Sequence, residues 1–347
     1  MSDTEDRPKR RPRYSGRNPR RFGEKYKELD PTKHPETVAK VLASGKTPAG
    51  SHVPVLIGEC LAALDLRAGD IGVDATLGYG GHAARILEKI RPGGKLLGLD
   101  VDPVEQPKTA ARMRALGFDD SAFEAVRSNH AGLAKVLGAR GLDGVDFVLA
   151  DLGCSSMQFD DPARGFSFKV AGPLDMRMNP GRGVSAAAWL AMVPPDKLAL
   201  ALHEHADEPQ AEDLAAALAG REFSNTLALA DAVRKAVTNL EADAVELTVR
   251  RVFQAVRIAV NEEFTALDAF LRVLPGCLKP GGRAVILTFH SGEDRRVKKA
   301  FQAGLRGGVY ARISEGVITA GPEERRLNPR SCPAKLRWAI AKEPQTS

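Results

Sequence analysis

Four polar clusters in this 347-residue chain have the residue types and spacing to do chemistry: Asp74 to His82 in DATLGYGGH, Asp100 in KLLGLDVD, Asp151 to Ser156 in VLADLGCSS, and His290 to Asp294 in LTFHSGED. Each follows an apolar run that reads as a strand. That position matters because an open α/β sheet takes its ligands in the crevice beyond the carboxyl ends of its strands. In the first cluster Gly78, Gly80 and Gly81 permit tight turning and close backbone approach, and the helix that follows offers unpaired N–H groups. Scanned from Gly78, the loop is Gly78-x-Gly80-x-x-Ala83, a dinucleotide fingerprint with Asp100 about 20 residues further on. Scanned from Asp74, the same loop is led by a carboxylate, which repels a pyrophosphate and suits a cationic ligand such as the sulfonium and ammonium of S-adenosylmethionine. Asp100 can accept ribose hydroxyls in either case and does not discriminate.

Asp151 supplies a second requirement. The exocyclic amine of a nucleobase is a poor nucleophile because its lone pair is delocalised. Acceptors must hold its N–H bonds so that the lone pair points at an electrophile in line. Asp151 and the carbonyls of the Leu152-Gly153 turn are candidates for that work. Ser291 with Asp294 three residues on reads as a helix cap, leaving Arg295, Arg296, Lys298 and Lys299 as a basic face for solvent or phosphate. His290, at a strand end, is a candidate contact to a base, and Arg177 and Arg330 are candidate phosphate contacts. No histidine spacing demands a metal, and the four cysteines (Cys60, Cys154, Cys277 and Cys332) form no Cys-x-x-Cys pair, so a zinc site and a disulfide framework are both unexpected.

The elements that must position these residues alternate between strand and helix, the pattern of a parallel sheet covered on both faces. Strands are predicted over 71–77, 95–102, near FEAVRS, over 145–153 and over 283–290, with an alternating edge strand over 334–342. Helices are predicted through GHAARILEKI, PKTAARMRAL and AGLAKVLGAR, and one long helix through RRVFQAVRIAVNEEFTALDAFLRVL. Between Ser156 and Glu246 strand signals vanish and Ala-rich helical segments dominate, most simply an inserted domain. Its opening, FDDPARGFSFKVAGPLDMRM, is a Gly/Pro-punctuated loop of a length that is usually functional or disordered. The expected division is a tail at 1–50, a sheet domain at 51–155 and 247–347, and an all-helical substrate-recognition insertion at 156–246.

Charge supports a polyanionic partner. The whole chain carries a formal +6, and residues 1–50, with 13 Lys/Arg against 7 Asp/Glu, hold all of the excess. An Arg- and Pro-rich arm with few apolar residues is expected to be disordered and to bind nucleic acid through phosphates. No apolar run approaches the roughly 18 residues of a spanning helix, and no secretory signal is evident, so a cytoplasmic location is expected and a membrane partner is not.

DATLGYGGH, LADLGCSSMQFDDPARGFSF, GPLDMRM, FQAVRIAVNEE, LTFHSGEDRRVK and NPRSCPAKLR occur in that order, and together they resemble the bacterial ribosomal RNA small subunit methyltransferase H family over His52 to Ala341. The resemblance implies a class I S-adenosylmethionine-dependent methyltransferase, a Rossmann-like doubly wound sheet with an inserted all-helical domain. The implied reaction is methylation of a cytidine N4 amine in the decoding region of 16S rRNA, free or within the small ribosomal subunit or a late assembly intermediate. It implies that Gly80, Gly81 and His82 line the methionine end of the cofactor, with Asp74 and Gly78 in the same loop. Asp100 would bind the ribose, His130 would lie beside the adenine where the family more often has an aromatic, and Asp151 and Gln158 would complete the pocket near the methyl group. No metal is implied. Two other readings compete: a nicotinamide-dependent dehydrogenase, which fits the glycine spacing, and a non-catalytic RNA-binding assembly protein, which fits the basic tail.

Overall fold

The chain is described by a computed structural model over residues 54–343, so the basic tail expected at 1–50 lies outside the described residues. The elements run α1 (Ile57–Leu64), β1 (Ile71–Asp74), α2 (Gly81–Ile90), β2 (Lys95–Asp100), α3 (Glu105–Ala115), β3 (Phe123–Arg127), α4 (Leu133–Gly138) and β4 (Val145–Asp151). A run of helices follows: α5 (Ser156–Asp160), α6 (Ala186–Met192), α7 (Pro195–Ala206), α8 (Ala211–Leu218), α9 (Thr226–Ala236), α10 (Ala242–Asn261) and α11 (Glu263–Val273). The sheet then resumes with β5 (Leu278–Thr288), α12 (Ser291–Arg306), β6 (Tyr310–Ile313), α13 (Pro322–Leu327) and β7 (Lys335–Ala341).

The seven strands lie in the order β3-β2-β1-β4-β5-β7-β6; the first five are parallel and β7 is antiparallel to both neighbours. This is the class I methyltransferase sheet. The inner strands are apolar throughout because both faces are covered. On one face Val73, Leu97, Val148 and Ile286 pack with Leu137 of α4, Phe270 of α11 and Phe301 of α12. On the other, Leu96, Phe147, Leu149 and Val285 pack with Cys60 of α1, Ile86 of α2 and Met113 of α3. The winding direction reverses between β1 and β4, and at such a reversal the diverging connections open a crevice above the strand ends.

A third apolar cluster belongs to the helical stretch. Leu190, Leu202, Leu214, Leu229 and Val233 gather around Val249, Val252 and Val256 of α10. The boundary expected at 246/247 therefore falls inside α10, which packs with the helical cluster as far as Val256 and whose end, at Arg257 and Asn261, reaches the sheet crevice.

Four expectations change in detail. The β1 ladder ends at Asp74 rather than residue 77, because the Asp74 carboxylate accepts the Thr76 N–H and bends the chain away. The long helix is two helices, broken where Glu262 adopts a left-handed φ of 52° and its N–H closes on the carbonyls of Ile258 and Ala259. β5 begins at Leu278, and the Lys-Pro-Gly-Gly turn is a bulge within it, marked by a register shift against β4 and by Gly281 at φ 73°. The last strand is not an edge: β7 lies between β5 and β6, so its alternation reflects pairing on both sides, and the four-residue β6 takes the edge.

Candidate functional site

Above the carboxyl ends of β1 and β4 lies a cleft of about 770 Å³, within the range of small-molecule sites. One wall is made by strand-end loops. Gly78 (φ 47°) and Gly80 (φ 82°) occupy the left-handed region that glycine adopts without strain. A Cβ on Gly80 would come within 2.8 Å of Thr109 and Met113 on α3, so the loop's path against α3 requires its absence. The Gly78 N–H donates to Asp100 Oδ2 (2.9 Å) and the Asp102 N–H donates to Asp100 Oδ1 (2.8 Å), which fixes the Asp100 carboxyl at the tip of β2 while leaving a lone pair on each oxygen for a diol. Burial raises the Asp100 pKa to about 6. His130 stands edge-on to Phe270, its Nε2 buried without a partner, and burial lowers its pKa to about 4, so its ring is neutral.

At the centre stands Asp151. Its N–H donates to Thr76 Oγ1, which ties the tip of β4 to the loop after β1. Oδ2 lies 3.6 Å from His82 Nδ1, while Oδ1 is buried with no partner. Burial, reinforced by the negative charge of Glu293, raises its pKa to about 7.

The other wall comes from the loop after β4 and the junction of α10 and α11. Asp102, 1% exposed, accepts from Gln158 Nε2 (3.0 Å) and from Arg164 Nη1 (2.8 Å). Arg164 also donates to the carbonyls of Arg177 and Met178. Asn261, the last residue of α10, donates to the Met176 carbonyl and accepts from the Met178 N–H. Arg257 makes a two-pronged pair with Glu263 (2.8 and 3.0 Å) and donates to Cys154 Sγ (3.2 Å). Buried Phe166 and Phe253 give this wall an apolar face, and exposed Lys169 and Arg250 stand at its rim.

Gly78, Gly80, Gly81, His82, Asp100, His130, Asp151, Gln158, His290 and Arg330 all line this one cleft. Asp74 does not: it is 1% exposed beneath the loop, where it acts as a turn residue, and burial raises its pKa to about 6. Gln158 caps its own helix as well as meeting Asp102, its Oε1 accepting from the Ser155 N–H. Arg177 pairs with Asp175 away from the cleft. Arg295 pairs with Asp207, Arg296 lies over the Phe264 ring and near Asp268, and Arg330 pairs with Asp160. The cap of α12 is one residue earlier than expected: His290 Nδ1 accepts from the Glu293 N–H, and the Glu293 carboxylate accepts from the Phe289 N–H. Asp294 instead pairs with Arg337. Burial opposes ionisation of Glu293, but the hydrogen bonds and charge of its neighbours, His290 first, prevail and lower its pKa.

Asp102, Arg164, Arg257, Asn261 and Glu263 were not expected in the site. The signal for two of them was faint but present: a second acid two residues past Asp100, and an arginine in the middle of the DPARGFSF loop. The other three join only because the helix breaks at Glu262.

Residues 49–342 match the model of the MraW methylase family. The chain belongs to that family. Two relatives bear the name ribosomal RNA small subunit methyltransferase H 1. That of Agathobacter rectalis is 44% identical over 344 residues, covering 96% of this chain and 98% of its own. That of Lachnoclostridium phytofermentans is 46% identical over 341 residues, covering 96% and 93%. A ribosomal RNA small subunit methyltransferase H 2 of Alkaliphilus metalliredigens is 44% identical over 349 residues, covering 98% and 99%. The MraW-family chain is thus a methyltransferase that uses S-adenosylmethionine, and the dehydrogenase and non-catalytic readings fall away.

The cleft fits that cofactor chemically. Fixed lone pairs on Asp100, the orphaned His130 Nε2 and a floor carrying Asp151 suit a ribose, an adenine and a cationic methionine end. Among the described residues no cluster of His, Cys, Asp or Glu is arranged to hold a metal, and no helix is long and apolar enough to cross a membrane.

Proposed function

We propose that this enzyme transfers a methyl group from S-adenosylmethionine to the exocyclic N4 amine of a cytidine in the decoding region of 16S rRNA. The reaction would occur in the cytoplasm, on the small ribosomal subunit or a late assembly intermediate. The observation that carries this reading is the Asp151 carboxyl, its side chain 28% exposed in a cleft between a cofactor wall and an aromatic wall. The relatives' names support ribosomal RNA as the substrate.

Gly78, Gly80, Gly81 and His82 would hold the methionine end of the cofactor, Asp100 the ribose and His130 the adenine edge. When bound, S-adenosylmethionine supplies an electrophilic methyl group. Asp151 would accept one N–H of the target amine at Oδ2 and so orient the nitrogen lone pair for in-line attack. Phe166 and Phe253 would flank a base turned out of its stack, an extrusion costing a few kcal/mol. Lys169 and Arg250 at the rim, with Arg295, Arg296, Arg330 and the basic tail, would offset that cost through phosphates. The helical stretch 156–246 would serve as the substrate-recognition part, the sheet at 51–155 and 247–347 as the catalytic part.

Nucleoside mass spectrometry of rRNA from a deletion strain tests the substrate. N4-methylcytidine is expected to disappear and to return on complementation; its persistence would overturn the assignment.

A further inference from the structure

Methylating an amine nitrogen leaves it with one proton too many. The fate of that proton is written in the surroundings of Asp151. His82 Nε2 lies 3.0 Å from the Val55 carbonyl, which can only accept, so Nε2 carries the hydrogen and Nδ1 of the neutral ring bears a lone pair. That lone pair faces Asp151 Oδ2 at 3.6 Å, on a carboxyl whose other oxygen, Oδ1, is closed to solvent. A carboxylate oxygen and an imidazole lone pair are both acceptors, so the contact becomes favourable only when a proton enters between them. Active-site separations of this kind commonly tighten when the substrate binds.

We infer that His82 is a positioning residue that receives, through Asp151, the proton released by the target amine. The proposal rests on the amine-methylation reading above. The proton balance is direct. As the nitrogen gains its methyl group, an N–H bond breaks and its electron pair stays on nitrogen, while an O–H bond forms at Asp151 Oδ2, the oxygen that faces His82. The acid then gives its proton from Oδ2 to His82 Nδ1, which regenerates the carboxylate beside an imidazolium whose Nε2–H remains on the Val55 carbonyl. The imidazolium and the carboxylate form an ion pair, and product departure returns the proton to solvent.

The groups around the ring are compatible with this cycle. Cys60 on α1 stands 3.9 Å from Nε2, and burial, then the nearby acids led by Asp151, raise its thiol pKa, so it stays neutral. Asp74 on β1 and Glu324 on α13 both favour the charged ring, against burial, which dominates and leaves the resting imidazole neutral. A neutral acceptor at rest and two carboxylates to stabilise the transient cation are what a temporary proton site needs. This role differs from lining the methionine end of the cofactor, which needs only the backbone of the Gly81-His82 turn.

The test uses His82→Asn, which keeps an acceptor oxygen near the Nδ1 position and cannot be protonated. The substrate is small ribosomal subunits from the deletion strain, with wild-type enzyme required to yield N4-methylcytidine; a different wild-type product would overturn the underlying reading instead. The expected result is a cofactor Kd within about threefold of wild type and a single-turnover rate reduced about 10²-fold, the lower end of proton-transfer contributions. The variant's rate should go on rising above pH 8, where hydroxide takes over the proton. Imidazole added to His82→Gly should restore rate in proportion to its neutral form. A His82→Asn rate within threefold of wild type across the pH range would overturn the inference. So would a loss explained wholly by weaker cofactor binding and abolished at saturating cofactor.

Discussion

The two walls of the cleft are built in different ways. The wall proposed to hold the cofactor is made at the strand tips from hydrogen bonds close in sequence: Asp74 to Thr76 across two residues, Asp100 to Asp102 across two, Gly78 to Asp100 across 22. The substrate wall is held by pairs far apart: Asp102 with Arg164 across 62 residues, Met178 with Asn261 across 83, Cys154 with Arg257 across 103. The first wall follows from β1, β2 and their turns, whereas the second exists only once the helical stretch has folded against the sheet. Asp102 belongs to both, because its N–H fixes Asp100 and its carboxylate holds Arg164. The proposed ribose site and the loop proposed to cover the target base therefore share a residue.

Breaking that shared point should give the largest effect. Arg164→Ala leaves the Asp102 carboxylate buried, its side chain 2% exposed, without its cation. Removing one partner of such a buried pair costs about 3–5 kcal/mol. Denaturant unfolding should register the loss, and cofactor titration should register weaker binding although Arg164 lies on the substrate wall. Normal cofactor affinity with defective RNA methylation would mean that the walls are independent.

A smaller effect concerns the cofactor wall alone. Asp100 and Asp151 have folded-state pKa values raised by burial to about 6 and about 7, above the ordinary carboxylate value. Below pH 5 both are largely protonated and offer little attraction to a cation. As pH rises through 6 and 7 they ionise, so affinity for the positively charged methyl donor should increase from pH 5 to pH 8, and binding near pH 6.5 should release protons. S-adenosylhomocysteine lacks the sulfonium charge and should show a weaker pH dependence. Calorimetry in buffers of different ionisation enthalpy measures both, and equal pH dependence for the two ligands would count against charge complementarity. Stability runs the opposite way: these two acids favour folding at low pH and lose that contribution as pH rises through their folded-state pKa values of about 6 and about 7.

The contrast also accounts for what the sequence disclosed. Apolar runs ending in Asp74, Asp100 and Asp151 specify strands whose tips share one edge, so the sheet and the cofactor wall were legible. Legibility stopped where local pattern and tertiary contact disagree. Nothing between Arg250 and Leu274 announces a break, since Glu262 is neither glycine nor proline. Its left-handed conformation belongs to a junction held by Asn261 against Met176 and Met178, and that junction brings Arg257 and Glu263 to the cleft. At Arg177 a cation suggests phosphate, and in the structure its guanidinium pairs with Asp175 two residues away, a pairing the spacing alone does not announce. The α12 cap was misread because Ser291 is a common cap residue, while His290 with Glu293 satisfies the same donors one position earlier.

The central claim is that Asp151, at the tip of β4, orients the target amine where the two walls meet. Asp151→Ala, assayed for methyl transfer to undermethylated small subunits with cofactor binding measured in parallel, tests it most directly. The account predicts that S-adenosylmethionine still binds, within about tenfold of wild type, while methyl transfer falls by at least about 10³-fold. Near-normal turnover with cofactor bound would remove Asp151 from the reaction and contradict the account.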